Sequence, residues 1–478
     1  MAHDIYESPL GKRYAGAAMK ALFSDDRKFG TWRRLWVALA EAEAELGLPI
    51  TEAQIAEMRE HLNDIDYDVV AKREAEVRHD VMAHIYAYGL VAPSAKPIIH
   101  LGATSCFVGD NTDIILQREA LSLVRAKLVA VLRALAEFAA KWAATPTLAY
   151  THYQPAQPTT VGKRACLWMQ DLMMDLERLD FTVSRLRLLG CRGATGTAAS
   201  FLELFDGDED KVARLEELVC AKMGFAGAYP VSGQTYSRKV DYFTLSVLSG
   251  IAQSAQKFAG DIRLLSHMQE FDEPFEEGQV GSSAMAYKRN PMRSERIASL
   301  ARYVMAQEAN PAMTAGAQWF ERTLDDSANR RLCIPEAFLA TDGLLNLYLN
   351  VISGGHVYPQ VIARHLAKQL PFFATENILM EAVKAGGDRQ TAHEAIREHS
   401  VAVQRAIKEE GAENDLLDRL AADERIPLDR AALEEIVAGG RFTGLAEQQA
   451  RDYVASVLAT LGGDDTAAPD AADTAVRV

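Results

Sequence analysis

The sequence predicts an all-α protein built on a central bundle of long helices. Apolar residues, with Gln117 as the exception, recur at alternating spacings of three and four from 114 to 142, and again from 165 to 186. Two further stretches, 238–268 and 332–354, are long and rich in apolar residues, whereas strand signals are sparse. Heptads sustained over this length are typical of long helices that pack at shallow angles.

Two smaller helical domains are predicted to flank this bundle. The chain has 478 residues, which is too long for one small core, and we divide it into three domains. They are an N-terminal helical domain at 1–111, the bundle at 112–364 and a C-terminal helical domain at 365–478. Glycine pairs break the last domain into short charged helices, and its tail from about residue 462 has the low complexity of disordered segments.

Local signals in the N-terminal domain predict two capped helices and then a loop. Ser24 and the two aspartates after it precede an amphipathic stretch over 24–48. Thr51 and Gln54 have the spacing of a capping box at the start of the next helix. Residues 90–111 contain two prolines and two glycines, and we predict a loop there.

Composition narrows the classes of function. The formal net charge is -15, so the chain lacks the basic balance typical of nucleic-acid surfaces. No run of about 18 apolar residues predicts a membrane span. The N-terminus lacks the apolar stretch of a signal peptide, and the five cysteines are scattered without a CxxC pair, as in a reducing compartment. We therefore expect a cytoplasmic protein.

No metal or cofactor motif is found. His79 and His84 are five residues apart, rather than the four of a helical metal pair. The glycine-bearing segment 193–199 lacks the lysine of a P-loop, and Ser282 is not in a GxSxG elbow. Acid–base chemistry on an anionic substrate remains.

Polar loops between the predicted helices contain the groups for such chemistry. Candidate proton carriers are His79, His152 and one serine of the pair Ser282 and Ser283. Candidate anion-binding cations are Arg13, Lys288, Arg289, Arg293, Arg296, Arg322, Arg330 and Arg331. Cations and N–H donors beside a serine hydroxyl favour its alkoxide. From the residues alone, a solvated loop with a basic helix start explains 281–296 equally well.

The loop segment GSSAMAYKRNP resembles the signature of the fumarase/aspartase superfamily, usually written G-S-S-x-M-P-x-K-x-N-P. Its continuation, YKRNPMRSER, is similar to the adenylosuccinate-cleaving branch of that superfamily. Further matching segments follow in the superfamily's order over roughly residues 8–400: SPLGKRY (8–14), RHDVMAH (78–84), HLGATSCFVGDNTD (100–113), THYQPAQPTTVGKR (151–164), GQTYSRKVD (233–241) and QWFERTLDDSANRR (318–331). Ala286 stands where the superfamily usually has proline.

This resemblance implies a fumarase/aspartase-like fold and a β-elimination that uses no cofactor. The branch releases fumarate from adenylosuccinate, giving AMP, and from the succinylcarboxamide imidazole ribotide, giving the carboxamide ribotide, in purine nucleotide biosynthesis. It also implies a homotetramer with active sites shared between subunits, and neither a nucleic-acid nor a membrane partner. A substrate with two carboxylates and a phosphate would explain why so many cations are gathered in the loops.

Matched residue by residue, the resemblance implies three catalytic groups. Ser282 is the general base, with Ser283 as its close competitor, and His152 is the general acid. Glu295 orients the histidine, because a neighbouring carboxylate favours the protonated imidazole. The implied substrate-binding residues are Arg13, Tyr14, Arg78, His79, Asp80, Thr104, Ser105, Gln234, Lys288, Asn290, Arg296, Arg322, Ser327 and Arg331.

Two alternatives stay open at this point. Another fumarate-releasing lyase, such as argininosuccinate lyase, would share the fold and the chemistry, although the phosphate-side segment FERTLDDSANRR argues against it. A catalytically inactive helical-bundle scaffold is the second alternative, and the presence of Ser282, His152 and Lys288 argues against that. Arg289 and Arg293 are interpreted as solvated charges outside the site, and an acid such as Glu295 is also favourable at a helix start.

Overall fold

A computed structural model describes residues 4–440, 442–462, 474 and 476. The tail for which disorder is predicted falls almost entirely on residues outside this description. The N-terminal part begins with a π-helical segment, Leu10–Tyr14. Its α-helices are α1 (Ala17–Leu22), α2 (Asp25–Glu45), α3 (Glu52–Glu60), α4 (Tyr67–Val77) and α5 (Asp80–Val91).

Both predicted caps in this part are confirmed. The Ser24 hydroxyl accepts the backbone N–H of Arg27 at 3.3 Å and so caps α2. At α3, the Thr51 hydroxyl accepts the N–H of Gln54 at 3.3 Å, and the Gln54 side chain accepts the N–H of Thr51 at 2.9 Å. These bonds satisfy donors that a helix start otherwise leaves unpaired.

Long helices form the centre of the protein, as predicted. They and the shorter helices between them are α6 (Ser105–Lys141), α7 (Val161–Arg185), α8 (Ala199–Leu204), α9 (Glu209–Lys222), α10 (Lys239–His267), α11 (Met292–Gln307), α12 (Ala309–Ala317) and α13 (Asp326–Gly354). Helix α6 packs against α7 and α13, and α10 packs against α7, α11 and α13. The heptad positions Leu121, Val124 and Leu128 are fully buried in the resulting core.

The loop prediction for residues 90–111 is wrong in its last part. Helix α6 begins at Ser105, with Thr104 as its N-cap, and Gly109 lies inside the helix. A glycine in a helix interior costs about 1 kcal/mol relative to alanine. Burial of Phe107 and Val108 in the core offsets that cost. The start of α6 therefore lies among the polar segments.

A β-hairpin replaces the loop expected at 151–164. Its antiparallel strands are β1 (Pro146–Thr151) and β2 (Gln154–Thr160), joined by the two residues His152 and Tyr153. Sequence reasoning missed the hairpin because β2 contains two prolines, which argue against a strand. A second short pair, β3 (Phe271–Asp272) with β4 (His356–Val357), joins the ends of α10 and α13.

The C-terminal helices bury a smaller core of their own. They are α14 (Pro359–Phe373), α15 (Thr375–Lys384), α16 (Arg389–Glu410), α17 (Leu416–Ala421), α18 (Arg430–Gly439) and α19 (Ala446–Leu461). Apolar residues between 374 and 433 form this second core, whereas α19 packs against α6 and α7. The predicted domain boundaries at 111 and 364 stay a prediction.

Helix α13 is the one described helix that is long and apolar enough to be a candidate membrane span. However, 72% of its most apolar window is buried inside the protein, as in the core helix of a bundle. The five cysteines are all buried and free, as expected from their scattered positions.

Candidate active site

A buried network of charged side chains ties together the starts of α6, α10 and α13. The Arg238 guanidinium bonds the Asp110 carboxylate at 2.8 Å and the Asp326 carboxylate at 2.6 Å. Close by, Arg330 bonds Asp241 at 2.6 Å. Neighbouring carboxylates raise the pKa of both arginines above its usual value against the effect of burial. Buried charges are tolerated when they are paired in this way.

This network corrects one predicted anion-binding residue. Arg330 is almost fully buried, and its guanidinium is 2.9 Å from Asp113 as well as bonded to Asp241. The Arg330 charge is thus neutralised by carboxylates inside the protein rather than presented to a ligand. Sequence reasoning missed the network's carboxylates, although GDNTD has two acids, SRKVD two bases and an acid, and RTLDDSANRR three arginines and two acids. The unusual density of opposite charges in these segments was the available signal.

Three predicted substrate-binding residues lie beside this network. Half-buried Arg322 is held 3.0 Å from the Asp326 carboxylate. Gln234 is fixed by its own N–H, which donates to the carbonyl of Glu321 at 3.0 Å, and by its side-chain amide, which donates to Ala194 at 3.1 Å. Gly233 permits this approach, since a Cβ there would lie 2.5 Å from the Glu321 carbonyl oxygen. Ser327, at the start of α13, is half-buried beside them.

A histidine, a serine and an ion pair meet at the junction of α5 and α6. His79 Nε2 lies 3.3 Å from the Ser105 hydroxyl. His79 Nδ1 accepts the backbone N–H of Met82 at 3.3 Å, which orients the ring so that Nε2 faces the Ser105 hydroxyl. Asp80, next in sequence, pairs with Arg331 at 3.4 Å.

The backbone conformation of the residues between α4 and α5 orients this junction. Arg78 ends α4 in the left-handed region, with φ 55°, and His79 then caps α5 in an extended conformation. A non-glycine residue in that region is strained, and such strain is concentrated at functional sites. Thr104 caps α6 without a hydrogen bond from its side chain. The positive end of the 37-residue helix α6 therefore faces the same region as Ser105 and His79.

The signature loop, residues 281–291, closes on itself and holds Ser282 at its base. The Asn290 amide donates to the carbonyl of Gly281 at 2.9 Å. The Ser282 hydroxyl accepts the backbone N–H groups of Ala284 at 3.3 Å and Met285 at 3.1 Å. These are the N–H donors expected beside a serine that is to carry negative charge.

The rest of the loop is open to solvent. Ser283, Ala286 and Lys288 are all exposed, and Ser283 has no side-chain hydrogen bond within the described residues. Gly281 is required where the loop closes, because a Cβ there would lie 2.1 Å from the carbonyl oxygen of Lys288. Of the two serines, Ser282 is the one whose hydroxyl accepts backbone N–H groups within the described residues.

Arg293 is placed differently from the sequence interpretation. It was expected to be a solvated charge, but only 1% of it is exposed. Its guanidinium pairs with Glu276 at 2.9 Å, and its N–H donates to Glu273 at 2.9 Å. Arg293 thus anchors the loop from inside. Arg289 is exposed, lies 3.8 Å from the Asp272 carboxylate and packs against the Phe275 ring. Its interpretation as a charge outside the site stays a prediction.

Arg13, Tyr14 and Arg296 form a separate group. The Arg296 guanidinium lies 5.6 Å from the centre of the Tyr14 ring, within the range of a cation–π contact. Tyr14 packs closely on Gly343 of α13, where a Cβ would lie 2.8 Å from the tyrosine carbonyl oxygen. Arg13 is exposed at the end of the π-helical segment.

His152 and Glu295 are not brought together within one chain. His152 is exposed at the tip of the β1–β2 hairpin, where it and Tyr153 both have positive φ, 51° and 57°. Two residues with positive φ make a type I′ turn, which ordinarily prefers asparagine and glycine. Glu295 is exposed in the first turn of α11. Within the described residues, neither side chain has a hydrogen bond to the other.

Comparison with protein families assigns most of the chain. The family described as "Lyase" matches residues 15–306, and the family described as "Adenylosuccinate lyase C-terminus" matches residues 371–453. The adenylosuccinate lyase of Schizosaccharomyces pombe is 50% identical over 95% of this chain and 94% of that protein. That of Saccharomyces cerevisiae is 50% identical over the same shares, and that of Schistosoma mansoni is 46% identical.

Solved structures share the fold at much lower sequence identity. The 3-carboxy-cis,cis-muconate lactonizing enzyme from Pseudomonas putida aligns with a TM-score of 0.80 at 23% identity, over 94% of this chain and 99% of that chain. A fumarate lyase from Mesorhizobium sp. BNC1 aligns with a TM-score of 0.79 at 22% identity, over the same shares. The predicted all-α, fumarase/aspartase-like architecture is confirmed.

Proposed function

We propose a catalytic arrangement for this chain from the premise that it belongs to the adenylosuccinate lyase family, within the fumarase/aspartase superfamily. It is a lyase that releases fumarate from adenylosuccinate, giving AMP, and from the succinylcarboxamide imidazole ribotide, giving the carboxamide ribotide. In such a β-elimination a base removes a proton from the carbon next to a carboxylate, the C–N bond breaks, and an acid protonates the leaving nitrogen.

Ser282 is the proposed base. The observation that carries this assignment is the pair of backbone N–H donors on its hydroxyl oxygen, at 3.3 and 3.1 Å. Donors fixed in this way stabilise negative charge on the oxygen without the cost of reorganising solvent. Lys288, six residues on in the same loop, adds a positive charge. Ser283 lacks comparable donors within the described residues.

His152 is the proposed acid that protonates the leaving nitrogen, with Glu295 as its orienting carboxylate. Both side chains are exposed and separate within one chain. We propose that the site is completed between subunits, where the hairpin tip of one chain meets the α11 start of another. The strained turn at residues 152 and 153 supports this, because strain persists where it serves a function.

A homotetramer is proposed as the assembly that joins these parts. Leu167, Met174 and Phe181 are 47%, 62% and 51% exposed, and they are spaced by seven along α7. Such a stripe on a long helix is the pattern of a helix–helix interface. The five free cysteines favour a reducing compartment, and we propose a cytoplasmic location.

The anionic groups of the substrate have proposed partners at both ends. Lys288 and Asn290 would bind the carboxylates of the leaving fumarate, together with Thr104 and Ser105 at the positive end of α6. Arg322, Ser327 and Arg331 would bind the phosphate side, with Arg13, Tyr14 and Arg296. His79, Asp80, Arg78 and Gln234 would position the substrate between these groups.

Cleavage of adenylosuccinate, followed by ultraviolet absorbance, tests the assignment. We expect turnover of adenylosuccinate and none of argininosuccinate or aspartate, which lack the purine ribose-phosphate. Turnover of argininosuccinate without turnover of adenylosuccinate would instead favour the other superfamily lyase. Absence of activity on all three would favour a scaffold.

A further inference from the structure

A second cationic cleft lies on the N-terminal side of the bundle. It has a volume of about 380 Å³ and lies among α2, α3, α6 and α9. Its contact with α6 is at Ile115, Arg118 and Glu119, ten to fourteen residues beyond Ser105. At 1.5 Å per helical residue, this is roughly 15–21 Å along α6 from the candidate active site. None of the residues lining it belongs to that site.

Most of the cations in this cleft have carboxylate partners. Lys222 pairs with Glu41 at 3.1 Å and also with Glu45, and Arg59 pairs with Glu41 at 2.6 Å and also with Glu52. Two cations thus face three carboxylates, so this side of the cleft has no excess of positive charge. Exposed ion pairs of this kind contribute little to stability.

The opposite side of the cleft has more guanidinium groups than carboxylates. Glu119 is the carboxylate there, and its bonds go to Arg27, at 2.6 Å on one oxygen. Arg34 makes no hydrogen bond or ion pair with any residue in the described part of the chain. Burial lowers the pKa of Arg34, and the nearby charge of Arg27 lowers it further, whereas Glu119 raises it.

Arg118 is the third guanidinium on this side. It donates to the backbone carbonyls of Gly224, at 2.6 Å, and Met223, and it stacks on the Phe225 ring at 3.6 Å. Burial lowers the pKa of Arg118, and the charge of Glu119 opposes this shift. Three guanidinium groups and one carboxylate therefore line this side of the cleft, which gives this side alone a charge of +2 on a chain of net charge -15.

We infer that this cleft is a second ligand site, which binds a phosphate monoester of about mononucleotide size. A phosphate dianion would match the local charge of +2, and guanidinium groups bind phosphate oxygens in a bidentate manner. The volume of the cleft, about 380 Å³, exceeds that of a phosphate group and lies within the usual range for small-molecule pockets. Val37, Ala38, Leu62 and Ile115 line it with apolar surface suited to a base or sugar ring.

Equilibrium dialysis with AMP as the probe tests this site separately from catalysis. We expect Arg34→Gln to bind one AMP fewer per chain than the unaltered protein and to keep its kcat. Arg34 makes no side-chain hydrogen bond within the described residues, so the fold is expected to persist. Arg34→Lys keeps the charge but loses the planar fork, and we expect at least tenfold weaker binding at this site.

Arg214→Gln is the matched control, because Arg214 is an exposed arginine of α9 that lies outside the cleft. It is expected to bind as many AMP molecules as the unaltered protein. An unchanged number of bound AMP molecules in Arg34→Gln would overturn the proposal. Inorganic phosphate is the second probe. If it displaces the cleft-bound AMP only at concentrations far above that of AMP, the site prefers an organic phosphate, as proposed. If it competes as well as AMP does, the proposed preference for a mononucleotide-sized ligand is wrong. The outcome does not depend on the proposed catalytic roles, because no residue that lines the cleft belongs to the candidate active site.

Discussion

The Nε atom of Arg238 lies 2.6 Å from the Asp326 carboxylate, and the two side chains are 1% and 0% exposed. Arg238 precedes α10 and Asp326 begins α13, so this ion pair joins two long helices of the bundle at the end that faces the candidate site. Asp326 also bonds Arg322, a proposed phosphate-binding residue. One buried carboxylate therefore supports both the packing of the bundle and the position of a substrate contact.

Asp326→Asn removes the charge from this pair at almost constant volume. Removing one partner of a buried ion pair leaves the other charge uncompensated, and the free energy of unfolding should fall by about 3 kcal/mol. Urea unfolding at one fixed protein concentration measures this. Asp325→Asn, at the exposed neighbouring position, should change it by less than about 0.5 kcal/mol. Equal losses in both variants would contradict the structural role of Asp326.

Substitutions at Arg78 separate strain from binding. Arg78→Gly and Arg78→Ala both remove the proposed substrate contact, and both should raise KM. Only glycine accepts the positive φ of 55° without strain, so Arg78→Gly should be more stable than Arg78→Ala by about 1 kcal/mol. Thermal unfolding and KM are the two measurements. Both variants lack the arginine side chain, so their KM values should be similar. A clear difference in KM between them would mean that the backbone conformation, rather than the side chain, controls substrate binding.

The catalytic assignments predict large losses of turnover with an intact assembly. Ser282→Ala and His152→Gln should each lower kcat by about 10²- to 10⁴-fold, the usual contribution of a general acid or base. Their elution volume in size-exclusion chromatography should match that of the unaltered protein. Ser283→Ala is the matched control and should keep most of the turnover. A loss in Ser283→Ala as large as that in Ser282→Ala would mean that the wrong serine is assigned.

The signature loop is expected to be less rigid because Ala286 replaces the usual proline. Ala286→Pro should reduce the conformational freedom of the exposed part of the loop. The free energy of opening the loop should rise by about 0.4–1 kcal/mol, which corresponds to amide exchange that is two- to fivefold slower. We expect a rise in kcat/KM of similar size. Ala284→Pro should act in the opposite direction, because it removes an N–H that Ser282 accepts. If amide exchange and turnover were both unchanged in Ala286→Pro, the proposed effect of Ala286 on loop rigidity would be wrong.

Glu43 makes stability depend on pH in a specific direction. Burial raises its pKa to about 9, and neither carboxylate oxygen has a hydrogen bond within the described residues. Between pH 5 and 8 the folded protein therefore holds a proton that the unfolded chain releases, and stability falls as pH rises. Glu43→Gln removes this dependence. The variant's advantage should grow by up to about 1.4 kcal/mol per pH unit in this range.

Chemical unfolding at a series of pH values from 5 to 8 measures this advantage. Glu60→Gln changes an exposed carboxyl group on α3 and serves as the control. We expect its stability to follow that of the unaltered protein across the series. Parallel curves for Glu43→Gln and the unaltered protein would show that Glu43 carries no such proton.

The sequence by itself determined the helical architecture and the order of the motifs. Heptads report local periodicity, and periodicity fixes which face of α6 or α7 is buried whatever lies opposite. Caps such as Thr51 with Gln54 act over a single turn and are likewise readable. The motif segments could be matched to a superfamily because each is a short contiguous stretch.

Only the tertiary structure decided what each charge does. Arg293 and Arg330 are buried and paired, whereas Arg34 makes no hydrogen bond or ion pair within the described residues. The sequence alone does not distinguish these three arginines. Arg238 and Asp326 are 88 residues apart, and whether such charges meet depends on the packing of helices. The hairpin that bears His152 was also not predictable from local signals. The prolines of β2 argue against a strand. Its tip lacks the asparagine and glycine that a tight turn prefers. Periodicity is a local property, but the free energy of a charge depends on every group that surrounds it.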